Sequence, residues 1–310
     1  MDNKVPQRLM SQINSFIIGK EDVVESILIC LLAGGHVLLE DVPGVGKTTL
    51  AKVLAGCVGG DFGRIQFTPD TLPTDVTGLS VYNAKTGEFE FHTGAIMQNI
   101  LLADEINRTS PKTQSALLEA MAEGQVTVDG NRYPLKDPFM VIATQNPIEF
   151  LGTYPLPEAS LDRFMMRLSI GYPEKDAEIT LTRYALEGKT PDQITPVCSL
   201  SDICEMRKEV ASVSVSDKLL AYIRDIIELT RKEEAFVMGA SPRATIFLAS
   251  AARACAYLQG RDFVKPDDVK AVCVNTLHHR LTLTSQARIR KADIDSTLRN
   301  LMLKAKVPME

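Results

Sequence analysis

The segment from residue 41 to residue 49 combines glycines, a lysine and threonines at a spacing that suits phosphate binding. An apolar run precedes it and a helical pattern follows it. Gly44 and Gly46 allow the backbone N–H groups to turn toward a phosphate, and the start of the helix adds a favourable dipole for an anion. Lys47 supplies positive charge for the β and γ phosphates, and Thr48 supplies a hydroxyl for Mg²⁺. Strand, glycine-containing loop and helix in this order predict a nucleotide phosphate loop.

One position of this loop departs from the full pattern, which has glycine where this chain has Asp41. The position follows the strand directly and does not face the phosphate. We therefore expect the aspartate to be tolerated, with an altered path into the loop as its cost. A glycine turn before an ordinary helix is the alternative interpretation of the segment. The residues assigned to phosphate binding are Pro43, Gly44, Val45, Gly46, Lys47, Thr48 and Thr49.

Two adjacent carboxylates, Asp104 and Glu105, follow the apolar run at residues 100–103. An α/β sheet binds ligands at the carboxyl ends of its strands, where the phosphate loop also lies. Asp104 can therefore organise Mg²⁺, and Glu105 can orient or deprotonate an attacking water. An acidic helix cap after an ordinary strand is the alternative.

A third polar strand end comes at Asn146, after the apolar run at residues 139–143. Its amide can hold the attacking water or the terminal phosphate at the same edge of the sheet. A turn imposed by Pro147 is the alternative explanation of this asparagine. The histidines show no spacing typical of transition-metal ligands. The phosphate loop and the acidic pair instead indicate ATP or ADP and Mg²⁺ as the cofactors.

Short apolar runs separated by helical patterns must position these side chains. Such runs are typical of a parallel sheet that helices cover on both faces. The segment 125–133 contains Asp129-Gly130, a strong signal for a hairpin, and a second hairpin is expected between Leu79 and Phe91. The predicted parallel strands are residues 36–40, 64–67, 99–103, 139–143 and 167–170.

The pattern changes after about residue 172, and no further strand pattern follows. Residues 173–198 are polar and contain three prolines, so we expect a loop-rich linker. Helices are expected at 216–232, from Pro242 to a stop at Gly260, and from Pro266 onward. We therefore predict an α/β nucleotide-binding core over residues 1–175 and a helical domain over residues 176–310.

Composition excludes several classes of protein. The 310 residues are 45% hydrophobic, and 34 basic against 39 acidic residues leave a net charge of −5. Disordered chains are poorer in apolar residues, and proteins whose whole surface grips nucleic acid are usually basic. No apolar stretch approaches the roughly 20 residues of a spanning helix, and no signal peptide is apparent. We expect a cytoplasmic protein without membrane insertion.

The segment 280–306 is unusually basic, with seven Lys or Arg residues against two Asp residues. A solvated helical face or an interdomain contact is the simpler explanation. A surface for nucleic acid or an acidic partner is the alternative, and the lack of aromatic residues in the segment weakens single-strand binding.

Five motifs occur in order: the phosphate loop, the Asp-Glu strand end, the Asn strand end, Leu161–Phe164 and Gly239–Arg243. Together they resemble the AAA+ ATPases and specifically the MoxR family. The resemblance covers nearly the whole chain and implies a AAA+ core followed by an all-α lid. Its most specific segments are 103–108, 116–121, 144–147 and 239–244, with Leu161–Phe164 between the last two.

The resemblance implies roles for residues that spacing alone does not assign. Lys47 and Thr48 match Walker A, Asp104 and Glu105 match Walker B, Asn146 matches sensor 1, Arg163 the arginine finger and Arg243 sensor 2. Ile18 and Gly19, in the segment 17–20, match the adenine-contacting region. The two hairpins match elements that line the pore or face the ring partner in relatives.

Two of these assignments have physical support and open alternatives. A cation such as Arg243 in the first turn of a helix opposes the helix dipole unless an anion faces it, but a surface Arg paired with a carboxylate is the alternative. Arg163 would be donated across a subunit boundary, whereas Arg167 is a rival for this role. Asp162 can instead simply pair with one of the two arginines.

The implied function is ATP hydrolysis by a hexameric ring that remodels or helps assemble partner proteins. A partner with a von Willebrand A domain would be a separate chain, and nucleic acid is not the expected partner. The alternatives are a low-turnover, ATP-gated binding switch and, with less support, a nucleic-acid motor.

Overall fold

Five parallel strands form a sheet that brings the phosphate loop and the acidic pair to one edge. The computed structural model describes residues 4–146 and 153–308. The strands of this part of the chain are β1 (Val37–Glu40), β2 (Phe62–Gln66), β3 (Gly78–Asn83), β4 (Glu88–Thr93), β5 (Ile100–Asp104), β6 (Gln125–Val128), β7 (Asn131–Pro134), β8 (Met140–Gln145) and β9 (Met166–Leu168).

The sheet has the order β2-β5-β8-β1-β9, and every pair in it is parallel. β5 and β8 are continuous apolar runs because both of their faces are covered. The register places Gln66 beside Asp104 and Glu40 beside Gln145, so polar side chains meet where the strands end. The predicted α/β fold with a five-stranded parallel sheet is confirmed.

Helices cover the sheet and form the second half of the chain. They are α1 (Lys4–Asn14), α2 (Glu21–Leu32), α3 (Lys47–Cys57), α4 (Pro73–Thr77), α5 (Pro111–Glu123), α6 (Glu158–Leu161), α7 (Lys175–Leu186), α8 (Leu200–Ser212), α9 (Asp217–Lys232), α10 (Pro242–Leu258), α11 (Pro266–Leu277), α12 (Ser285–Ile289) and α13 (Ile294–Lys304). Ser216 and Ser241 cap α9 and α10 through their hydroxyls, as their sequence positions predict. None of the helices described between residues 4 and 308 is long and apolar enough to cross a membrane.

The expectation of a loop-rich linker at residues 173–198 is wrong, because α7 occupies twelve of these residues. Pro173 precedes the helix, and Glu174 stands at its N-cap position. Ala177 is the one buried residue of α7, so the apolar periodicity that reveals other helices is weak here.

Two antiparallel hairpins project from the core, β3–β4 and β6–β7, at the positions that the sequence indicates. Asp129 and Gly130 both have positive φ in the tight turn between β6 and β7. The rings of Phe91 and Tyr133 stack at 3.8 Å between centroids and join the two hairpins.

The helical half packs onto the core through a continuous apolar cluster that contains both Leu39 of β1 and Leu248 of α10. Its polar anchor is Arg280, whose side chain is 2% exposed. Arg280 Nε donates to Asp162 Oδ1 at 2.8 Å, and Nη2 donates to the carbonyl of Phe164 at 2.6 Å. The first residue of the basic segment is therefore an interdomain contact. The exact boundary between the core and the helical domain, predicted at residue 175, stays a prediction.

His36 is buried just before β1, and its burial predicts that the free energy of unfolding depends on pH. His36 Nδ1 accepts from the backbone N–H of Val141 at 3.0 Å, and burial lowers the pKa of the ring from 6.5 to about 4. The neutral ring therefore contributes stability that is complete above pH 6.5 and lost as the pH falls toward 4. We expect this one group to remove about 3 kcal/mol across that range.

Chemical unfolding of the wild type and of His36→Gln between pH 7 and pH 4 measures this effect. The free energy of unfolding should fall less steeply with acid in the variant, since glutamine has no proton to gain. Equal slopes in the two proteins would contradict the assignment.

Candidate active site

The phosphate loop leaves β1 and enters α3 through two glycines with positive φ. Gly44 has φ +86° and Gly46, the N-cap of α3, has φ +93°. Residues with a Cβ rarely adopt these backbone conformations. Lys47 begins α3, and its Nζ donates to the carbonyl of Asp41 at 2.8 Å. Burial lowers the pKa of Lys47, while nearby carboxylates oppose this shift. The loop has the geometry that the sequence predicts.

One cavity gathers the residues that the sequence singles out at three separate strand ends. Lys47 and Thr48 line it together with Asp104, Glu105 and Asn146. Pro147, which follows Asn146, lies outside the described residues. The cavity is lined by Pro43, Gly44, Gly46, Lys47, Thr48, Arg64, Gln66, Asp104, Glu105 and Asn146.

The two carboxylates are held by a hydroxyl from the neighbouring strand. Thr144 Oγ1 donates to Asp104 Oδ1 at 2.6 Å and accepts from the backbone N–H of Glu105 at 2.9 Å. Glu105 has φ +57°, an uncommon conformation for a residue other than glycine. Such backbone conformations concentrate at functional sites, where surrounding contacts hold them in place. Thr144 thus fixes both acidic residues, a role that spacing alone does not indicate.

Two polar residues of β2 also line this cavity, and the sequence interpretation missed them. Arg64 Nη2 donates to Asp104 Oδ2 at 2.7 Å, and Gln66 Nε2 donates to Glu105 Oε2 at 2.8 Å. Arg108 Nη1 donates to the same oxygen of Glu105 at 3.0 Å. Both Arg64 and Gln66 stand near the carboxyl end of a strand, and this position is the signal that could have identified them.

An adjoining cavity is mostly apolar and shares Gly44 and Gly46 with the first. Ile18 lines this cavity, whereas Gly19 lies outside this set and lines a neighbouring polar depression. Leu181 comes from α7, the helix that the sequence did not reveal, and closes one side. The residues that line this apolar cavity are Phe16, Ile17, Ile18, Lys20, Gly44, Val45, Gly46, Thr49, Leu50, Ile170, Gly171, Pro173 and Leu181.

Asp41 is more than a tolerated departure from the glycine pattern. Its buried carboxylate accepts from Ser169 Oγ at 2.8 Å and from the backbone N–H groups of Ile170 and Gly171 at 2.6 and 3.0 Å. Ile170 and Gly171 line the apolar cavity. Asp41 therefore joins the phosphate loop to the chain segment that follows β9.

Replacing Asp41 by asparagine is expected to lower the free energy of unfolding by about 2 kcal/mol, since an amide has one acceptor oxygen in place of the two that now serve three donors. The measurement is chemical unfolding, with Asp70→Asn as a control because Asp70 is exposed. A loss no larger than that of the control would contradict this role.

The arginines with proposed roles lie apart from the cavity lining. Arg167 pairs with Glu40 of its own chain, which also accepts a hydrogen bond from Gln145. Arg163 is partly exposed, and its side chain forms no hydrogen bond or ion pair with any residue in 4–146 or 153–308. Arg243 is exposed in the first turn of α10.

Asp162 does not pair with Arg163 or Arg167. It accepts instead from Arg280 and from the hydroxyl of Ser241, at 3.0 Å to Oδ2, so the alternative of a simple pair with a neighbouring arginine is wrong. Asp162 therefore links the N-terminus of α10, which carries Arg243, to the segment that carries Arg163.

Comparison with known proteins agrees with this geometry. Residues 36–166 match the ATPase family associated with various cellular activities (AAA), and residues 228–301 match the AAA lid domain. Chaperone MoxR1 of Mycobacterium tuberculosis is 43% identical over 290 residues, which cover 91% of this chain and 76% of that protein. The chain belongs to the MoxR family of AAA+ ATPases.

Other comparisons extend over nearly the whole chain. Protein MoxR of Paracoccus denitrificans is 30% identical and matches 88% of this chain and 87% of its own length. The YeaC protein of Bacillus subtilis is 50% identical over 98% of this chain and 95% of its own. A crystal structure from Cytophaga hutchinsonii superimposes with a TM-score of 0.93 at 38% identity and covers 99% of this chain and 96% of the other. The AAA+ core and the all-α lid are thereby confirmed.

Proposed function

We propose that this MoxR-family protein hydrolyses ATP with Mg²⁺ in the cavity at the carboxyl ends of β1, β5 and β8. The observation that carries the proposal is the convergence of Lys47, Thr48, Asp104, Glu105 and Asn146 on one cavity at the end of the sheet. Phosphoryl transfer needs little more than charge neutralisation and positioning of the attacking water, and these residues supply both.

The residues of the cavity fit a magnesium ion. The hydroxyl of Thr48 and the carboxylate of Asp104 are hard oxygen donors, which Mg²⁺ prefers, and both line the cavity. Held by these residues, Mg²⁺ would supply positive charge to the phosphate oxygens. Thr144 supports this role for Asp104, because its hydrogen bond fixes the carboxylate's orientation.

Glu105 and Asn146 are the proposed water-positioning pair. The carboxylate of Glu105 accepts the proton of the attacking water or orients it, and the amide of Asn146 holds the water or the terminal phosphate. Lys47, at the start of α3, binds the β and γ phosphates together with the backbone of residues 43–49.

The apolar cavity is the proposed adenine site. It shares Gly44 and Gly46 with the phosphate cavity, so one nucleotide can reach both. Ile18 and Leu181 provide apolar walls for a base, and we propose that Gly19 permits the turn that positions Ile18, since its φ is +69°.

The nucleotide site is proposed to be complete only in a homo-oligomeric ring, which we take to be a hexamer. Arg163 is the proposed arginine finger that one subunit lends to its neighbour, and its lack of a partner among the described residues supports this role. Arg243 is the proposed sensor of the terminal phosphate on the lid, residues 176–310. Movement of the lid against the core, residues 1–175, would then drive the hairpins.

The proposed consequence of turnover is remodelling or assembly of partner proteins in the cytoplasm. The relative from Mycobacterium tuberculosis is named a chaperone. A separate protein with a von Willebrand A domain is the partner class that we propose to test first.

Phosphate release from ATP, together with particle mass by light scattering, tests the proposal. The full-length protein should release phosphate with Mg²⁺ but not in EDTA, and should form a six-subunit particle with ATP. Binding without turnover would instead indicate a switch. Strong stimulation by DNA that falls steeply with salt would indicate a nucleic-acid motor.

A further inference from the structure

Arg64 of β2 forms an ion pair with Asp104, the proposed magnesium carboxylate. Its Nη2 lies 2.7 Å from Asp104 Oδ2 and 2.7 Å from Gln66 Oε1, so two acceptors orient the guanidinium. The other oxygen of Asp104, Oδ1, accepts from Thr144 Oγ1. Both oxygens of this carboxylate therefore have donors, one from Thr144 of β8 and one from Arg64 of the edge strand β2.

The two donors differ in how easily they can be displaced. Thr144 is fully buried on β8, whereas the Arg64 side chain is 46% exposed and lines the same cavity as Lys47 and Thr48. A divalent cation bound by Asp104 in this cavity would lie close to the guanidinium of Arg64, which already contacts Oδ2. Since like charges repel at this separation, the cation and the guanidinium cannot both occupy the same face of the carboxylate without an energetic cost.

We propose that Arg64 competes with Mg²⁺ for Asp104 and thereby limits how strongly magnesium tightens nucleotide binding. This inference rests on the proposed ATP function of the same cavity and adds a residue to it. Arg64 acts here through Asp104, the carboxylate that would receive the cation. The pair is partly exposed, so we expect an effect of about fivefold rather than a complete block.

The test measures binding of a fluorescent, non-hydrolysable ATP analogue to the full-length protein, in EDTA and in saturating Mg²⁺. We define the magnesium factor as the dissociation constant in EDTA divided by that in Mg²⁺, so a larger factor means that magnesium tightens binding more. In Arg64→Gln this factor should rise about fivefold, because Mg²⁺ no longer displaces a cation from Asp104. Binding in EDTA should weaken or stay unchanged, because a positive charge near the phosphates is lost. Arg64→Lys, which keeps the charge, should return the factor toward the wild-type value.

The chain offers a matched control in Arg108. Its side chain is 44% exposed and donates to Glu105 Oε2 at 3.0 Å, but it does not line the cavity. Arg108→Gln removes the same charge from the neighbouring carboxylate and should leave the magnesium factor unchanged. An equal rise of the magnesium factor in both variants would show that any loss of positive charge near the cavity has this effect, and it would overturn the proposal.

A double substitution separates competition at Asp104 from a purely structural role of Arg64. In an Asp104→Asn background, Arg64→Gln should no longer change the magnesium factor, since the shared carboxylate is absent. A factor in Arg64→Gln that equals the wild-type value, or an undiminished effect in Asp104→Asn, would overturn the inference. Failure of the wild type to bind the analogue at all would instead overturn the proposed ATP function.

Discussion

Glu105→Gln is expected to bind ATP with near wild-type affinity and to lose turnover by about a hundredfold or more. Glutamine has the shape of glutamate but cannot accept a proton from water, so the chemical step fails while the phosphate loop is intact. The site tolerates the amide geometrically, because Gln66 and Arg108 donate to a single oxygen, Oε2, which an amide oxygen can replace.

Phosphate release and analogue binding, measured on the same preparation, test this expectation. Glu119→Gln is the control, since Glu119 is an exposed carboxylate on α5 outside the cavity, and its turnover should match the wild type. Undiminished hydrolysis in Glu105→Gln would exclude Glu105 as the residue that activates water. The same variant, held with ATP bound, is also the form best suited to retain partner proteins in a pull-down.

The strands and the phosphate loop were predictable because each depends on a local pattern. Buried parallel strands must be apolar on both faces, so β5 and β8 stand out as continuous runs. The loop between β1 and α3 needs glycine where φ is positive, and Gly44 and Gly46 occupy those positions. Such requirements act on residues close together in sequence, and a single chain therefore displays them.

The features that were missed depend on which distant segments become neighbours. Arg64 reaches Asp104 only because β2 lies beside β5, and the order of strands in a sheet has no local signal. Asp41 reaches residues 169–171, far along the chain, because β9 lies beside β1. The pattern predicted where each strand ends, but not which side chains meet there.

Helix α7 was missed for a different reason. Its side chains are mostly exposed, so its sequence lacks the apolar stripe that marks an amphipathic helix, and flanking prolines suggested a loop. Leu181, which lines the apolar cavity, was lost with the helix. Functional residues on weakly patterned elements are therefore the hardest to identify from sequence.

Arg163→Ala is expected to lower turnover by about a thousandfold, and mixing it with Glu105→Gln is expected to restore part of the activity. Each variant alone lacks one component at every site. In a mixed ring, an Arg163→Ala subunit keeps its own Glu105 and can receive Arg163 from a Glu105→Gln neighbour. With equal amounts and random assembly, about a quarter of the sites regain both components.

The matched comparison is Arg167→Ala, because Arg167 is four residues along and pairs with Glu40 of its own chain. Its loss should disturb the site of the same subunit, through Glu40 and the adjoining Gln145, and a neighbour cannot supply it. Mixing Arg167→Ala with Glu105→Gln should therefore give no recovery.

Recovery with Arg167→Ala but not with Arg163→Ala would exchange the roles of the two arginines, and no recovery with either would argue against a shared site. The structure favours Arg163, because an arginine already held by Glu40 must break that ion pair to reach a neighbour. Arg163 has no such pair to break among the described residues, and Asp162 beside it is occupied by Arg280 and Ser241. Within residues 4–146 and 153–308, Arg163 is therefore the arginine better placed to act between subunits.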